Sequence, residues 1–241
     1  MNPLLHDLQK KQLVWRAASI EQHKERVSTG YQTLDKALNG GFPKSGLVHI
    51  KSLVGLGEMR LVLPAIKAQA QKQFCAFVAA PFLLNAEFLI GEGLTLDKVM
   101  IIDITHDKHS TEQKLWSAEQ CAKSGACAAI FIWHEKLQVA QAKKLELAAI
   151  KGQCLIFLFE AGKHQQTNLP VSLAMSLSRD NRDQQAVNIK VDKQKVGWPL
   201  PSFSVKVPYK ARMGSPMHKR RGGSRHTLQA ANIYALHSKP S

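Results

Sequence analysis

The sequence predicts an α/β fold in which a mostly parallel sheet is flanked by helices. Five apolar runs typical of buried strands alternate with helical stretches between residues 47 and 159. A Gly-bearing loop follows the first of these runs and leads directly into a helix. Between residues 171 and 207, alternating apolar and polar residues indicate an antiparallel hairpin at one edge of the sheet.

Each element follows from a local pattern. An amphipathic helix is expected over residues 3–19, and a short helix over 28–41, closed by the Gly40–Gly41 turn. The core strands are the runs LVHI, FCAFVA, VMIIDI, CAAIFI and CLIFLF, at residues 47–50, 74–79, 99–104, 127–132 and 154–159. Further helices are expected over residues 58–73, 83–92, 111–123 and 137–150. The edge strands are SLAMSLS, AVNIKVDK and SFSVKV.

These elements divide the chain into three segments. An N-terminal helix and linker occupy residues 1–26, the α/β core occupies 27–208, and a basic tail occupies 209–241. The tail is rich in Gly, Ser and Pro and is expected to be disordered, with a short apolar island at 228–236.

Composition favours a cytoplasmic protein. No apolar run reaches the ~18–20 residues of a membrane span, and the N-terminus has no signal-peptide pattern. Among the cysteines, Cys75, Cys127 and Cys154 lie in strand-like runs, which predicts buried, reduced thiols. No His, Cys or acidic spacing indicates a metal site, and no nucleophile motif indicates a catalytic residue.

The net charge of +15 is unevenly distributed, because residues 209–241 hold seven Lys or Arg and no acid. Such an imbalance is typical of contact with nucleic acid, and a solvated tail without a fixed partner is the alternative. The predicted nucleic-acid-binding residues are Lys210, Arg212, Lys219, Arg220, Arg221 and Arg225.

The loop after the first strand has the layout of a phosphate-binding loop but lacks its residues. A working loop reads G-x-x-x-x-G-K-[ST], and its Lys and hydroxyl serve the phosphates and Mg²⁺. Here Ser52 stands at the first Gly, Gly57 at the last, Glu58 at the Lys and Met59 at the Ser or Thr. The helix start still favours an anion, and the Glu58 carboxylate can supply it. The sequence therefore predicts a closed nucleotide site, no cofactor and no ATPase activity.

Four runs within residues 27–207 stand in one continuous order: VSTGYQTLDKALNGGFPKSGLVHI, QFCAFVAAP, TEQKLWSAEQCAKSGACAAIFIW and VNIKVDKQKVGWPLPSFSVKV. Together they resemble the core of RecA recombinase. The resemblance implies a RecA-like core with a degenerate nucleotide site. It also implies that Pro81 and Trp133 replace two carboxylates, one catalytic and one that helps to hold Mg²⁺. Trp133 is expected to plug the vacated pocket.

A narrower resemblance is to the ImuA family. It rests on VWR at residues 14–16, STGY, GEMRLVLP, the LW-AEQ--KSGAC pattern and the basic tail. ImuA proteins are RecA-like accessory factors of a bacterial mutagenesis cassette. The resemblance implies a non-catalytic scaffold in SOS-induced, error-prone translesion DNA synthesis. Its implied partners are an ImuB-like protein, an error-prone DNA polymerase III α subunit and RecA.

Two alternatives remain. GLTLDKVMII and AKSGACAAIFIW also resemble SulA, the SOS inhibitor of cell division that binds FtsZ, although SulA is shorter and lacks most of the STGY segment. An ATP-dependent recombinase is opposed by the four replaced residues.

Partner binding is predicted for one stripe of the N-terminal helix, which could instead pack on its own core: Leu8, Val14, Trp15 and Arg16.

Overall fold

The computed structural model describes residues 25–104, 110–134, 136–161, 169–195, 197–208 and 233–235. The predicted helix over residues 3–19 lies outside these ranges. Within them the chain forms a nine-stranded sheet with helices on both faces and a separate two-stranded sheet. No helix in the described ranges is long and apolar enough to cross a membrane.

The strands form two sheets. The small sheet pairs β1 (Arg26–Val27) with β2 (Phe42–Pro43) in antiparallel fashion. The strands of the large sheet are β3 (Gly46–Lys51), β4 (Phe74–Val78), β5 (Val99–Asp103), β6 (Cys127–Trp133), β7 (Leu155–Glu160), β8 (Leu173–Arg179), β9 (Ala186–Gln194), β10 (Leu200–Lys206) and β11 (Ile233–Ala235). Their order is β10-β9-β8-β3-β7-β6-β4-β5-β11.

Alternate residues of the central strands face two separate cores, as a period of two requires. On β7, Phe157 packs in the first core and Ile156 in the second. The first core is covered by α1 (Gln32–Ala37), α2 (Glu58–Ile66) and α3 (Ala86–Gly91). The second is covered by α4 (Ser110–Lys123) and α5 (Val139–Lys151). Because both faces are buried, the central strands are mainly apolar, as the sequence predicted.

A buried carboxylate ties α5 to the sheet. Glu146 accepts hydrogen bonds from the Leu47 backbone N–H at 2.6 Å and from the Ser172 hydroxyl at 2.7 Å. Lys195 Nζ lies 3.3 Å from the same carboxylate. Glu146 therefore joins α5 to the start of β3 and to the residue before β8.

The predicted antiparallel edge is confirmed. β8 pairs with β3 in parallel, and β9 and β10 then follow as antiparallel neighbours. The RecA-like α/β fold class predicted from the sequence is therefore correct.

Three local expectations differ from the structure. The helix predicted over 58–73 ends at Ile66, and a 3₁₀ turn at Gln69–Gln71 follows it. The β1–β2 pair was not predicted, because two-residue strands leave no periodic pattern. The sequence also did not predict a strand at Ile233–Ala235, which pair in parallel with the outer edge of β5.

Candidate functional site

The loop from Ser52 to Gly57 connects β3 to α2 at the carboxyl edge of the sheet. The Ser52 backbone N–H donates to the Glu160 carbonyl at 3.0 Å, so β3 and β7 stay joined up to the loop. At the far end Gly57 has a φ of 97°, a left-handed conformation that glycine adopts without strain. This turn places residue 58 at the first position of α2.

Glu58 folds back into the loop that precedes it. Its Oε1 accepts a hydrogen bond from the Gly55 backbone N–H at 3.0 Å, and the residue is only 3% exposed. Its Oε2 is buried and has no hydrogen-bond partner among the described residues. The carboxylate therefore takes up a loop N–H at the helix start, where a phosphate-binding loop would use its amides on an anion.

Met59 and Ser52 are turned away from solvent. Met59 is 7% exposed and packs in the first core, so it presents neither a hydroxyl nor any other metal ligand to the loop. Ser52 is 8% exposed, and its hydroxyl donates to the Leu53 carbonyl at 2.8 Å.

Pro81 and Trp133 come together at one cavity of about 450 Å³ at the carboxyl ends of the strands. Trp133 is 7% exposed and stacks on Phe159 with ring centroids 5.1 Å apart. The ring of Phe82 meets Trp133 edge-on at 5.5 Å. The indole Nε1 of Trp133 is buried without a hydrogen-bond partner among the described residues. Aromatic side chains thus fill part of the space above β6 and β7.

Sequence reasoning did not assign the polar lining of this cavity. Asp103 at the end of β5, Thr111 and Lys114 on α4, and His134 after β6 all lie along it. Asp103 interrupts the apolar run VMIIDI, and this was a signal that could have identified it. Exposed apolar side chains stand on the loops after β3 and β4: Leu53, Val54, Phe82 and Leu83 have exposed fractions of 66, 51, 37 and 99%.

A buried pair on neighbouring strands was also missed. His49 Nε2 on β3 lies 2.6 Å from Glu160 Oε2 on β7, with both side chains almost fully buried. Burial lowers the pKa of His49, and the nearby Glu160 carboxylate acts in the opposite direction. No sequence spacing could reveal this pair, because 111 positions separate its members.

The thiols lie at the opposite, amino end of the strands. Cys75, Cys127 and Cys154 are buried and unbridged, as predicted. Burial raises the pKa of Cys75 and of Cys154 to about 12. A hydrogen bond from Cys127 lowers the pKa of the half-buried Cys121. No group of three or more His, Cys, Asp or Glu in the described part of the chain has a metal-binding arrangement.

Two sets of predicted residues lie outside the described ranges. They are the partner-binding stripe (Leu8, Val14, Trp15 and Arg16) and the tail cations (Lys210, Arg212, Lys219, Arg220, Arg221 and Arg225).

The fold and the loop define a RecA-like α/β core, and comparison with known proteins agrees. The chain is 36% identical over 114 residues to Protein RecA of Acinetobacter baylyi, covering 46% of this chain and 31% of that protein. Protein RecA of Synechococcus elongatus is 33% identical over 110 residues, covering 45% of this chain and 30% of that protein. The match thus spans less than a third of these relatives, and the predicted resemblance to RecA is confirmed.

Among solved structures, SulA from Pseudomonas aeruginosa aligns with a TM-score of 0.40 and 22% identity. The alignment covers 48% of this chain and 98% of that one. No protein-family model matches the chain.

Proposed function

We propose that this chain is a non-catalytic, RecA-like accessory protein of the ImuA type, serving SOS-induced error-prone translesion DNA synthesis. The observation that carries the non-catalytic part is the Glu58 carboxylate on the Gly55 N–H, inside the loop that would otherwise bind phosphate. RecA-like hydrolysis needs a cation and a hydroxyl in this loop, and Glu58 and Met59 supply neither.

The cavity beside the loop supports the same proposal. RecA-like hydrolysis also needs carboxylates for Mg²⁺ and for the attacking water. The RecA resemblance places these carboxylates at positions 81 and 133. Pro81 and Trp133 stand there instead, and both line the cavity without an acidic group. Asp103 also lines it, but from β5, which three strands separate from β3 and its loop in the order of the sheet.

A scaffold acts through surfaces rather than through a reaction, and exposed apolar side chains on two loops support such a role. Leu53 and Val54 after β3, and Phe82 and Leu83 after β4, expose large apolar side chains. Exposed apolar surface of this kind is available to a protein partner. The proposed partners are an ImuB-like protein, an error-prone polymerase III α subunit and RecA.

The N-terminal stripe and the tail carry the remaining parts of the proposal. Val14, Trp15 and Arg16 would anchor a protein partner, because a buried aromatic anchor commonly contributes ~2 kcal/mol or more to binding. The seven cations of residues 209–241 would hold DNA without sequence preference. With about 4–6 phosphates engaged, log K should fall against log salt with a slope of roughly −3 to −5.

The experiment is a binding assay between the purified full-length chain and a purified ImuB-like protein. Trp15→Ala should weaken this binding at least about 30-fold and leave the melting temperature nearly unchanged. Trp198→Ala is the matched control, because Trp198 is 82% exposed and far along the chain from the stripe.

Three outcomes would contradict the proposal. Unfolding by Trp15→Ala would make Trp15 a core residue. Binding to FtsZ with block of its GTPase, and no binding to the ImuB-like protein, would favour the SulA-type alternative. Mg²⁺-dependent ATP turnover by the purified chain would favour a recombinase.

A further inference from the structure

The two edges of the described sheet differ in how they resist pairing with another strand. β10 carries Pro201, a register irregularity between Leu200 and Phe203, and Lys206. Prolines, irregular register and lysines are the usual devices that prevent strand addition at an edge. The β10 edge is therefore protected by its own residues.

β5, at the other side, has no such protection. Its sequence is Val-Met-Ile-Ile-Asp, with Val99 and Ile102 buried, and it contains neither proline nor lysine. β4 pairs with one side of β5 in a regular parallel register. An apolar strand with its outer backbone groups free is a template for another strand. This edge requires a cover.

The cover in this structure is β11. Ile233, Tyr234 and Ala235 pair in parallel with Ile101, Ile102 and Asp103, respectively. Three residues form a short ladder, and Val99 and Met100 lie outside its register. A tight turn cannot join parallel strands, so the backbone hydrogen bonds between β11 and β5 must hold this pair together.

The chain between β10 and β11 is long enough to reach the β5 edge. β10 and β11 lie at opposite edges, eight strand spacings apart in the nine-strand order, or about 38 Å at ~4.8 Å each. The 24 residues from 209 to 232 can span at most about 80 Å at ~3.3 Å per residue. This length permits the pairing within one chain, and the same strand from another molecule can compete when the protein concentration approaches the effective concentration of the tethered strand.

We propose that the outer edge of β5 is a strand-accepting surface, filled here by the chain's own Ile233–Ala235 and open to the same strand from a second copy. Donor and acceptor lie on one chain, so exchange of this strand between copies is domain swapping, which closes into a dimer when it is reciprocal. Backbone hydrogen bonds supply the affinity, and the apolar face of β5 selects an apolar strand.

The test uses full-length proteins and a fluorescent peptide of residues 228–241. Ile233→Pro/Tyr234→Pro puts proline at two adjacent positions. Neighbouring residues of a strand direct their N–H groups to opposite sides, so one of the two prolines removes an N–H that would bond to β5. This variant should bind the peptide at least about 10-fold more tightly than the wild type, because its own strand no longer competes. Gln229→Pro/Ala230→Pro is the matched control and should behave as the wild type.

The peptide and the association state give further readouts. A peptide with the same two prolines should not bind any of the proteins. Sedimentation should show wild-type association that rises with concentration, whereas Ile233→Pro/Tyr234→Pro stays monomeric. Equal binding of both peptides, no binding to the folded variant, or the same association state for both proteins would overturn the proposal.

Hydrogen exchange tests the proposal even if the double-proline variant does not fold. An excess of peptide over wild-type protein should speed the exchange of amides 233–235 and leave those of β5 protected. Unchanged exchange at 233–235 under saturating peptide would also overturn the proposal.

Discussion

Neutralising Glu58 should convert the loop after β3 into a site that binds phosphate. The Glu58 carboxylate lies 3.0 Å from the Gly55 N–H, so a phosphate on the same amide would come within about 4 Å of it. Two unit charges at ~4 Å repel by about 4 kcal/mol at an effective dielectric constant of ~20. At about 1.4 kcal/mol per tenfold change, this repulsion corresponds to roughly a thousandfold in affinity.

Two substitutions separate the loss of charge from its reversal. Glu58→Gln removes the charge at nearly constant size, and Glu58→Lys restores the cation of a working loop. Calorimetric titration with pyrophosphate and Mg·ATP should detect no binding to the wild type, weak binding to Glu58→Gln and tighter binding to Glu58→Lys. Glu87→Gln, an exposed change on α3, is the matched control and should not bind.

No single substitution at Glu58 should create ATP turnover, because Met59, Pro81 and Trp133 still provide no group for metal or water activation. A coupled ATPase assay on the same proteins checks this. The reasoning is refuted if the wild type shows Mg²⁺-dependent hydrolysis that Gly57→Val abolishes. It is also refuted if both substitutions leave phosphate binding as weak as in the wild type.

Three other predictions concern the buried polar and thiol groups. Glu146→Ala should lower the free energy of unfolding in urea by about 3–5 kcal/mol, because it leaves the buried N–H at the start of β3 without an acceptor. A loss under ~1 kcal/mol would contradict this. The pKa of His49 is lower in the folded protein than in the unfolded chain. The folded state should therefore be fully stable above about pH 6.5 and lose stability as the pH falls towards the pKa of the folded state. His49→Gln should flatten that decline in thermal melts between pH 8 and pH 5, and an unchanged profile would count against burial as the cause. Iodoacetamide under native conditions should label Cys121 first, since it is half-buried with a lowered pKa; even labelling of all four thiols, read by mass spectrometry, would disagree.

The sequence predicted what depends on short-range patterns. The strand run at 47–50 and the helix at 111–123 appear as β3 and α4 with shifts of one residue or so. The change from apolar runs to alternation after residue 171 predicted the β8–β10 meander. The loop residues Glu58 and Met59 could be assigned because their positions follow from a fixed motif.

Contacts between distant residues could not be predicted in this way. The His49–Glu160 pair joins residues 111 positions apart, and the cavity gathers residues from β5, β6, β7, α4 and the loop after β4. The helix predicted to continue to residue 73 ends early, although only Pro64 near its end hinted at a break. The strand at Ile233 was visible as an apolar island, but its partner was not, because one strand's pattern does not say which edge it will join.

The pairing of β11 with β5 also sets the order in which the sheet is completed during synthesis. β5 ends at Asp103 and its outer neighbour begins at Ile233, 130 positions later (233 − 103). A ribosome adding about 5–20 residues per second needs roughly 7 to 26 seconds for that stretch. Each nascent chain on a polysome therefore presents an uncovered apolar edge for seconds, near neighbours that present the same edge. This interval is when a chaperone would act on the protein.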